Sequence, residues 1–383
     1  MAIFHLVTTG LWLFVLLRFL IPLSLSPGAT IAFGLLMLLA SQQHLLIRRF
    51  RGSAFSPELP RPLGILANAL FGTFLLLTTF QVGVELLALV LYLLTGDYLF
   101  PPLFVRHLLG LAAVGLAILG VIQGVRVPPV KEIEVRLTDL PAEFDGYRLI
   151  QLTDLHLSRL FPRRWAEQVV ARANAQKADL IVITGDLMDG SLEARRNDVE
   201  PLSGLRAKDG VYVITGNHEY YYGYEDWMKR YQELGMTRLC NSHVALTREG
   251  ASLVLAGITD STSTRFGLPK PDLAGALVGA PPAAPIILLD HKPQGAPKAA
   301  QAGVALQLSG HTHGGMVKGL HWLVARFNNG FVSGFYNIGG MRLYVNNGTA
   351  MWNGFALRIG VPSELTVITL RTSNLISNQS LLG

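Results

Sequence analysis

Four long hydrophobic runs occupy the first third of this 383-residue chain, and they constrain its fold more than any other feature. They cover residues 3–25, 29–47, 63–96 and 103–125. A helix needs about 20 apolar residues to cross the bilayer core, so the first, second and fourth runs suit one span each. The third would be about 50 Å long as a single helix, but two halves would each be short, and we expect one span. The sequence therefore predicts an N-terminal transmembrane α-helical bundle of about four helices.

A soluble bundle and a cleaved signal peptide both fit these runs less well. A soluble helical bundle would carry a polar face along each helix, and these runs carry almost none. A cleaved signal peptide is disfavoured because residues 1–10 contain no Lys or Arg and further hydrophobic runs follow. The chain is 50% hydrophobic and 15% charged, which excludes a disordered protein. Its single cysteine excludes an intramolecular disulfide framework and a cysteine-rich metal site.

The placement of Lys and Arg predicts the orientation in the membrane. Basic residues lie between the second and third runs and after the fourth: Arg48, Arg49, Arg51, Arg61, Arg126, Lys131 and Arg136. The loops at 26–28 and 97–102 contain neither Lys nor Arg. The positive-inside rule then places both termini in the cytoplasm, in a multi-pass protein of the inner membrane. Two spans in the third run would instead place the rest of the chain outside. A nucleic-acid binder would concentrate its excess positive charge in a basic face, but half of the net charge of +6 lies among the hydrophobic runs here, so we expect no nucleic-acid partner.

The rest of the chain has the pattern of a soluble α/β domain. Predicted strands cover 132–137, 147–152, 180–184, 211–215, 253–258, 286–289, 305–308, 330–336, 342–346 and 364–370. Helical patterns at 163–176 and 224–234 lie between them, and the alternation indicates a layered α/β fold. The alanine- and proline-rich stretch 274–285 is expected to be a loop. We expect a membrane domain over residues 1–126, an α/β domain over 127–371 and a tail over 372–383.

Acidic, histidine and asparagine residues follow five of these strands. In chain order they are Asp154 and His156, then Asp186, then Asn217, His218 and Glu219, then Asp290 and His291, and finally His311 and His313. Ligands bind beyond the carboxyl ends of strands in α/β sheets, so these side chains are expected to converge. Glycines at 185, 216 and 310 permit tight turns and close backbone approach.

This set of side chains is chemically specific. Imidazoles and carboxylates without thiolate suit Mn, Fe or Zn. A carboxylate such as that of Asp186 could bridge two ions, which would activate water and neutralise charge on a phosphoryl oxygen. Each motif is weak alone, since Gly-Asp after a strand is common and a lone His291 would more often be structural. All five in order, each after an apolar strand, are specific.

The series Asp154-x-His156, Gly185-Asp186, Gly216-Asn217-His218-Glu219, His291 and Gly310-His311-x-His313 resembles the calcineurin-like metallophosphoesterases over residues 145–371. The stretch Asp154-Leu155-His156-Leu157-Ser158 is most similar to the bacterial membrane-anchored branch. The resemblance implies a two-sheet sandwich flanked by helices, two divalent ions and hydrolysis of phosphoric esters. It assigns one ion to Asp154, His156, Asp186 and His313, and the second to Asp186, Asn217, His291 and His311. It makes His218 the catalytic residue, which would protonate the leaving oxygen as a general acid or steady the transition state, with Glu219 orienting His218 or its loop.

The substrate is less constrained by the sequence. Arg159, Tyr220 and Tyr221 are candidate substrate contacts, although a solvated helix start and an ordinary packed loop would also account for them. Manganese is the expected metal, with iron or zinc compatible. The leading hypothesis is a membrane-bound phosphoesterase that cleaves a phosphodiester or pyrophosphate bond of a lipid or lipid-linked sugar or nucleotide, with membrane lipids as partners. The alternatives are a non-catalytic receptor or regulatory metal-binding protein, and a transporter with a metal-bound regulatory domain.

Overall fold

The structure is a computed structural model that describes residues 2–50, 56–98 and 100–373. The chain forms two compact units. The first consists of the chain up to Val125 together with the segment Asn353–Ile359, and the second begins at Arg126 and excludes that segment. Most of the predicted tail, and Arg51 among the predicted basic residues, lie outside the described residues. The predicted domain limits remain predictions.

The first unit is helical. Its helices are α1 (Ala2–Val15), continued by a π-helical turn (Leu16–Leu20) and a 3-10 turn (Ile21–Leu23), then α2 (Pro27–Ser41), α3 (Gln43–Phe50), α4 (Arg61–Thr95) and α5 (Leu103–Val125). Three helical stretches in the described residues are long and apolar enough to cross a membrane: Ile3–Leu23, Arg61–Thr95 and Leu103–Val125. The third hydrophobic run is thus one continuous helix.

The second hydrophobic run differs from the single span that the sequence suggests. It divides at Gln42 into α2, of 15 residues, and α3, of 8. The side chain of Gln42 donates to the hydroxyls of Thr8 at 3.0 Å and Thr9 at 3.1 Å on α1. A polar side chain in an apolar unit needs hydrogen-bond partners. Gln42 finds them on α1, and it lies at the position where α2 ends and α3 begins.

Polar contacts define the two ends of the helical unit. At one end His5 donates to Gln42 at 3.1 Å, and Arg61 donates to the backbone carbonyl of Val125 at 3.4 Å. The start of α1 therefore meets the end of α2, and the start of α4 meets the end of α5. At the other end Arg18 makes a bidentate ion pair with Glu85, with both distances 2.8 Å. Helix α1 therefore begins at the end of the unit where α5 ends.

The segment Asn353–Ile359 belongs to the helical unit although it comes late in the chain. The ring of His44 donates a hydrogen bond to a backbone carbonyl of this segment at 2.6 Å. The side chain of Asn68 accepts a hydrogen bond from a backbone N–H group of the segment at 2.7 Å. Leu357 lies against Gly120 so closely that a Cβ on the glycine would come within 2.6 Å of it. The helices hold the segment through buried polar side chains and through Gly120, whose lack of a side chain leaves room for Leu357.

The second unit contains two six-stranded sheets. The first sheet has the order β1-β12-β2-β3-β4-β5 and the second β10-β11-β9-β8-β7-β6. The strands are β1 (Val130–Leu137), β2 (Arg148–Leu152), β3 (Leu180–Ile183), β4 (Val211–Val213), β5 (Thr237–Arg238), β6 (Ser242–Arg248), β7 (Ala251–Gly257), β8 (Ile286–Leu289), β9 (Leu306–Ser309), β10 (Gly334–Ile338), β11 (Met341–Val345) and β12 (Leu365–Thr372). Buried apolar side chains from both sheets, such as Leu149, Leu180, Leu253 and Leu306, form one core cluster. This is the two-sheet sandwich that the resemblance to the calcineurin-like metallophosphoesterases implies.

Helices flank the sheets. They are α6 (Arg163–Asn174), α7 (Leu192–Val199), α8 (His218–Tyr221), α9 (Tyr224–Glu233), α10 (Leu273–Ala276), α11 (Ala296–Gln301) and α12 (His321–Arg326). The sequence does not predict β5 and β6. Strand β6 pairs with β7 along the edge of the second sheet and is only partly buried, so it lacks an apolar run. The stretch expected to be a loop at 274–285 begins within the short helix α10.

The sheet order brings the predicted site together. Strands β2, β3 and β4 are parallel neighbours, with Leu152 opposite Ile183 and Ile183 opposite Val213. Strands β8 and β9 are parallel neighbours in the other sheet. The carboxyl ends within each set therefore meet at one sheet edge.

Candidate metal centre

The side chains predicted from the five motifs converge in the second unit. Seven are at most 7% exposed: Asp154, His156, Asp186, Asn217, His218, His291 and His313. His311 is partly exposed. Residues separated by up to 159 positions in the chain thus form one largely buried cluster, as the strand-end pattern predicts.

Three groups of potential ligand atoms are found in this cluster, with the atoms of each group within 4.8 Å of one another. Two of them, Asp154 with His156 and His313, and Asp186 with His291 and His311, are candidate ligand groups for metal ions. In the third, His156 and His218 meet the carboxylate of Asp189. The Nε2 of His156 lies 3.9 Å from Asp154 Oδ1 and also 3.9 Å from Asp186 Oδ2. His291 Nε2 lies 3.3 Å from the same Asp186 oxygen. The Asp186 carboxylate therefore faces both groups.

The cluster has the chemistry of a cation site. His156 Nε2, Asn217 Oδ1 and His291 Nε2 are buried and have no hydrogen-bond partner. Buried polar atoms in proteins are nearly always hydrogen-bonded, because leaving one unsatisfied costs about 1–3 kcal/mol. Imidazole nitrogens and carboxylate and amide oxygens are ligands that Mn, Fe and Zn accept. The residues present therefore fit divalent metal ions.

The backbone at the cluster is unusual. Five of the predicted ligands have positive φ: Asp154 (52°), His156 (41°), Asp186 (54°), His311 (70°) and His313 (49°). Residues with a side chain rarely adopt this region, although Asp and His enter it more often than most. Such conformations cost on the order of 1–3 kcal/mol each and persist where surrounding structure enforces them, typically at functional sites.

Two glycines allow the carboxylates to come this close to the backbone. A Cβ on Gly216 would lie 2.1 Å from Asp186 Oδ1, and a Cβ on Gly310 would lie 2.3 Å from Asp154 Oδ2. Neither distance is possible for a real side chain. The carboxylate of each aspartate occupies the space that a side chain would need.

Asp189 is a site residue that the sequence analysis missed. It is fully buried, and its Oδ1 accepts hydrogen bonds from Nδ1 of His156 at 2.9 Å and from Nδ1 of His218 at 2.6 Å. Both rings then carry their proton on Nδ1 and direct Nε2 toward the ligand groups. Asp189 does not directly follow a strand, so the strand-end rule passes over it. Its position three residues after Asp186 is the one sequence signal it offers.

Glu219 organises the loops around the cluster. Its carboxylate accepts hydrogen bonds from the backbone N–H groups of Asp186 at 3.2 Å, Leu187 at 2.9 Å and Gly216 at 2.7 Å. The Tyr231 hydroxyl donates to it at 3.1 Å. Burial and the nearby Asp186 carboxylate raise the pKa of Glu219. These contacts agree with a residue that orients a loop.

The electrostatic field of the cluster favours cations. Burial alone would lower the pKa of His218, but the Asp186 and Asp189 carboxylates outweigh it and raise that pKa to about 9. His291 follows the same pattern, and Asp186 raises its pKa to about 10. Burial and the neighbouring positive charge of His291 instead lower the pKa of His311 to about 3.

The three predicted substrate contacts fall in different environments. Arg159 is exposed in the loop after β2. Tyr220 is only 3% exposed, so its ring packs in the interior. Its hydroxyl lies 3.0 Å from the Thr215 hydroxyl. Tyr221 is 45% exposed, and its ring centre lies 5.6 Å from that of His218. Of the two tyrosines, Tyr221 is the one that a substrate could contact beside His218.

Several known proteins are similar to this chain in sequence. Residues 147–315 match the family described as calcineurin-like phosphoesterase. The chain is 34% identical over 265 residues to a transmembrane protein with metallophosphoesterase domain from Danio rerio, a match covering 67% of this chain and 60% of that protein. It is 31% identical over 273 residues to an uncharacterized metallophosphoesterase from Helicobacter pylori, covering 71% of each. It is 31% identical over 250 residues to the uncharacterized metallophosphoesterase YkuE from Bacillus subtilis, covering 63% of this chain and 85% of that protein.

The two-sheet sandwich flanked by helices is the fold of a metallophosphoesterase, and buried Asp and His residues lie at its strand ends. The chain belongs to the calcineurin-like metallophosphoesterases. It spans 60% of the length of the zebrafish and bovine relatives it matches.

Proposed function

We propose that this protein is a membrane-embedded, metal-dependent phosphoesterase that hydrolyses a phosphodiester or pyrophosphate bond. The observation that carries the proposal is the pair of ligand groups that share the Asp186 carboxylate, with His218 beside them. A site of two groups with an adjacent imidazole is suited to chemistry.

The ligand assignment that we propose follows the two groups. Asp154, His156, Asp186 and His313 would hold one divalent ion, and Asp186, Asn217, His291 and His311 the other. Manganese is the proposed metal, and iron or zinc suits the same donors. When bound, a pair of such ions would activate a water and neutralise charge on the phosphoryl oxygens.

His218 would act as the general acid. Its Nδ1 is fixed by the hydrogen bond to Asp189, so the ring cannot turn freely. Its Nε2 lies 3.9 Å from Asp186 Oδ2, beside the carboxylate proposed to bridge the two ions. From there it can hold a proton and donate it to the leaving oxygen.

The helices support a lipid-derived substrate. Three helical stretches in the described residues are long and apolar enough to span a bilayer, which would keep the α/β unit near the membrane surface. We propose a lipid or a lipid-linked sugar or nucleotide as the substrate, membrane lipids as partners, and no nucleic acid. The continuous helix Arg61–Thr95 and the placement of Lys and Arg support a multi-pass inner-membrane protein with its α/β unit on the cytoplasmic face.

The test is hydrolysis of bis(p-nitrophenyl) phosphate by the full-length protein in detergent, with added manganese and after chelation. Asp186→Asn should lower both bound metal, measured by elemental analysis, and turnover. His218→Ala should retain metal and lose about 100-fold or more in turnover, the usual contribution of a general acid. The matched control is Asp139→Asn, because it makes the same change as the first variant at an exposed turn.

Either of two results would overturn the proposal. The first is turnover that survives chelation and the Asp186→Asn change. The second is a purified protein that binds no divalent metal. A positive result would justify a screen of lipid pyrophosphates and lipid phosphodiesters.

A further inference from the structure

A cavity of about 660 Å³ opens in the helical unit. Its walls come from the turns that continue α1 and from α2, α4 and α5. The lining is almost entirely apolar, with Phe19, Met37, Leu70, Leu111 and Val114 among the side chains. Because the helices of this unit are apolar and three helical stretches are long enough to cross a membrane, the medium that meets the cavity in a bilayer would be hydrocarbon rather than water.

The cavity has the length of a single leaflet. On α5 its lining runs from Arg106 to Ile118 through Gly110 and Val114, a spacing that keeps to one face of the helix. Twelve residues of helix rise about 18 Å. Half of a hydrocarbon core about 30 Å thick is about 15 Å. A chain that enters near the start of α5 would therefore reach about the bilayer midplane.

A buried arginine marks one end of the cavity. Arg106 is 7% exposed, and its Nη1 donates to the backbone carbonyl of Arg18 at 2.7 Å. Among the residues that the structure describes, no carboxylate lies within ion-pair distance of Arg106. The nearby acid, Glu85, is already paired with the Arg18 guanidinium. A buried cation without an anion is costly, especially in a membrane, so an anion supplied from outside would stabilise it.

We propose that this cavity binds one acyl chain of an anionic phospholipid from the bilayer, with the lipid phosphate at Arg106 and the exposed His107. The apolar lining would take the chain, and the unpaired guanidinium would select a headgroup that carries net negative charge. The site lies wholly within the helical unit and is separate from the candidate metal centre. It does not depend on the proposed hydrolase activity.

The test is lipid binding to the full-length protein in detergent, followed by native mass spectrometry during titration with phosphatidylglycerol or phosphatidylcholine. We expect phosphatidylglycerol to bind about tenfold more tightly. Val114→Trp would fill the cavity and should weaken both lipids about tenfold. Ile122→Trp is the matched control, because Ile122 is exposed on the same helix and does not line the cavity. Arg106→Gln should reduce the preference for phosphatidylglycerol to less than threefold.

The two substitutions separate the two parts of the proposal. If Val114→Trp binds both lipids as the wild type does while remaining folded, the cavity is not the lipid site and the proposal fails. If Val114→Trp weakens binding but Arg106→Gln keeps the full headgroup preference, the role of Arg106 is overturned. Equal binding of the two lipids by the wild type would also overturn the selection of an anionic headgroup.

Discussion

Replacing Asp189 by asparagine should weaken metal binding although Asp189 is not among the proposed ligands. Its Oδ1 accepts the Nδ1 protons of both His156 and His218. Asparagine keeps the shape and one oxygen acceptor but removes the negative charge. His156 would then donate its Nδ1 proton to a neutral acceptor, which holds the tautomer less strongly and makes Nε2 a weaker donor to a cation.

The size of the effect follows from these two hydrogen bonds. Hydrogen bonds to charged groups contribute about 1.5–3 kcal/mol each. Since about 1.4 kcal/mol corresponds to a factor of ten, weakening the bond to His156 should reduce metal affinity roughly 10- to 100-fold. This matches the usual loss when an outer partner of a metal ligand is removed. The bond to His218 should add a further loss of turnover that saturating metal does not restore.

The assay is a manganese titration by calorimetry on the full-length protein, with turnover measured on the same preparation at saturating manganese. Asp198→Asn is the matched control, because Asp198 accepts a hydrogen bond from the buried Arg195 and belongs to none of the three groups of potential ligand atoms. If Asp189→Asn binds manganese within threefold of the wild type and turns over at the wild-type rate, the positioning role of Asp189 is wrong.

Three further changes test other parts of the structure. Gly216→Ala should abolish metal binding, measured by elemental analysis, because its Cβ would lie 2.1 Å from the proposed bridging carboxylate. Burial raises the pKa of Asp179, but hydrogen bonds from Lys208 and other donors outweigh it, so the folded pKa is lowered. Its contribution to stability is complete above the unfolded pKa of about 3.9 and is lost as pH falls through the lowered value, so the Tm difference between wild type and Asp179→Asn should shrink below about pH 4. Leu357→Ala should destabilise the helical unit by about 2–5 kcal/mol in detergent unfolding, whereas Leu320→Ala, at an exposed position, should not.

The strand-end pattern accounts for how much of the site could be predicted. Asp154 and Asp186 directly follow apolar strands, so the sequence shows both the strand and the position where it ends. Parallel pairing then brings such residues together without any knowledge of the loops between them. The apolar central strands by themselves indicate a layered α/β fold, and the two-sheet sandwich was predictable only from the resemblance of these motifs to the calcineurin-like metallophosphoesterases.

The residues that the sequence did not reveal lack such a local signal. Asp189 lies beyond the end of a strand, and its role depends on the two imidazoles that happen to face it. Tyr220 and Tyr221 are adjacent and chemically identical, and only the turn of α8 directs one inward and the other outward. Strand β6 is half exposed, so its pairing with β7 leaves no apolar run to detect.

The helical unit includes a segment from the far end of the chain, and this limits how the protein can be divided. The chain passes between the units after Val125, after Trp352 and after Ile359. A fragment starting at Arg126 would retain Phe355 and Leu357 without the helices that cover them, and exposed apolar groups of this kind promote aggregation. A water-soluble version of the α/β unit therefore requires that Asn353–Ile359 be replaced by a polar linker. For the same reason, recombination at a single junction could not exchange this membrane anchor for another, because the helices and the segment they enclose would have to be inherited together.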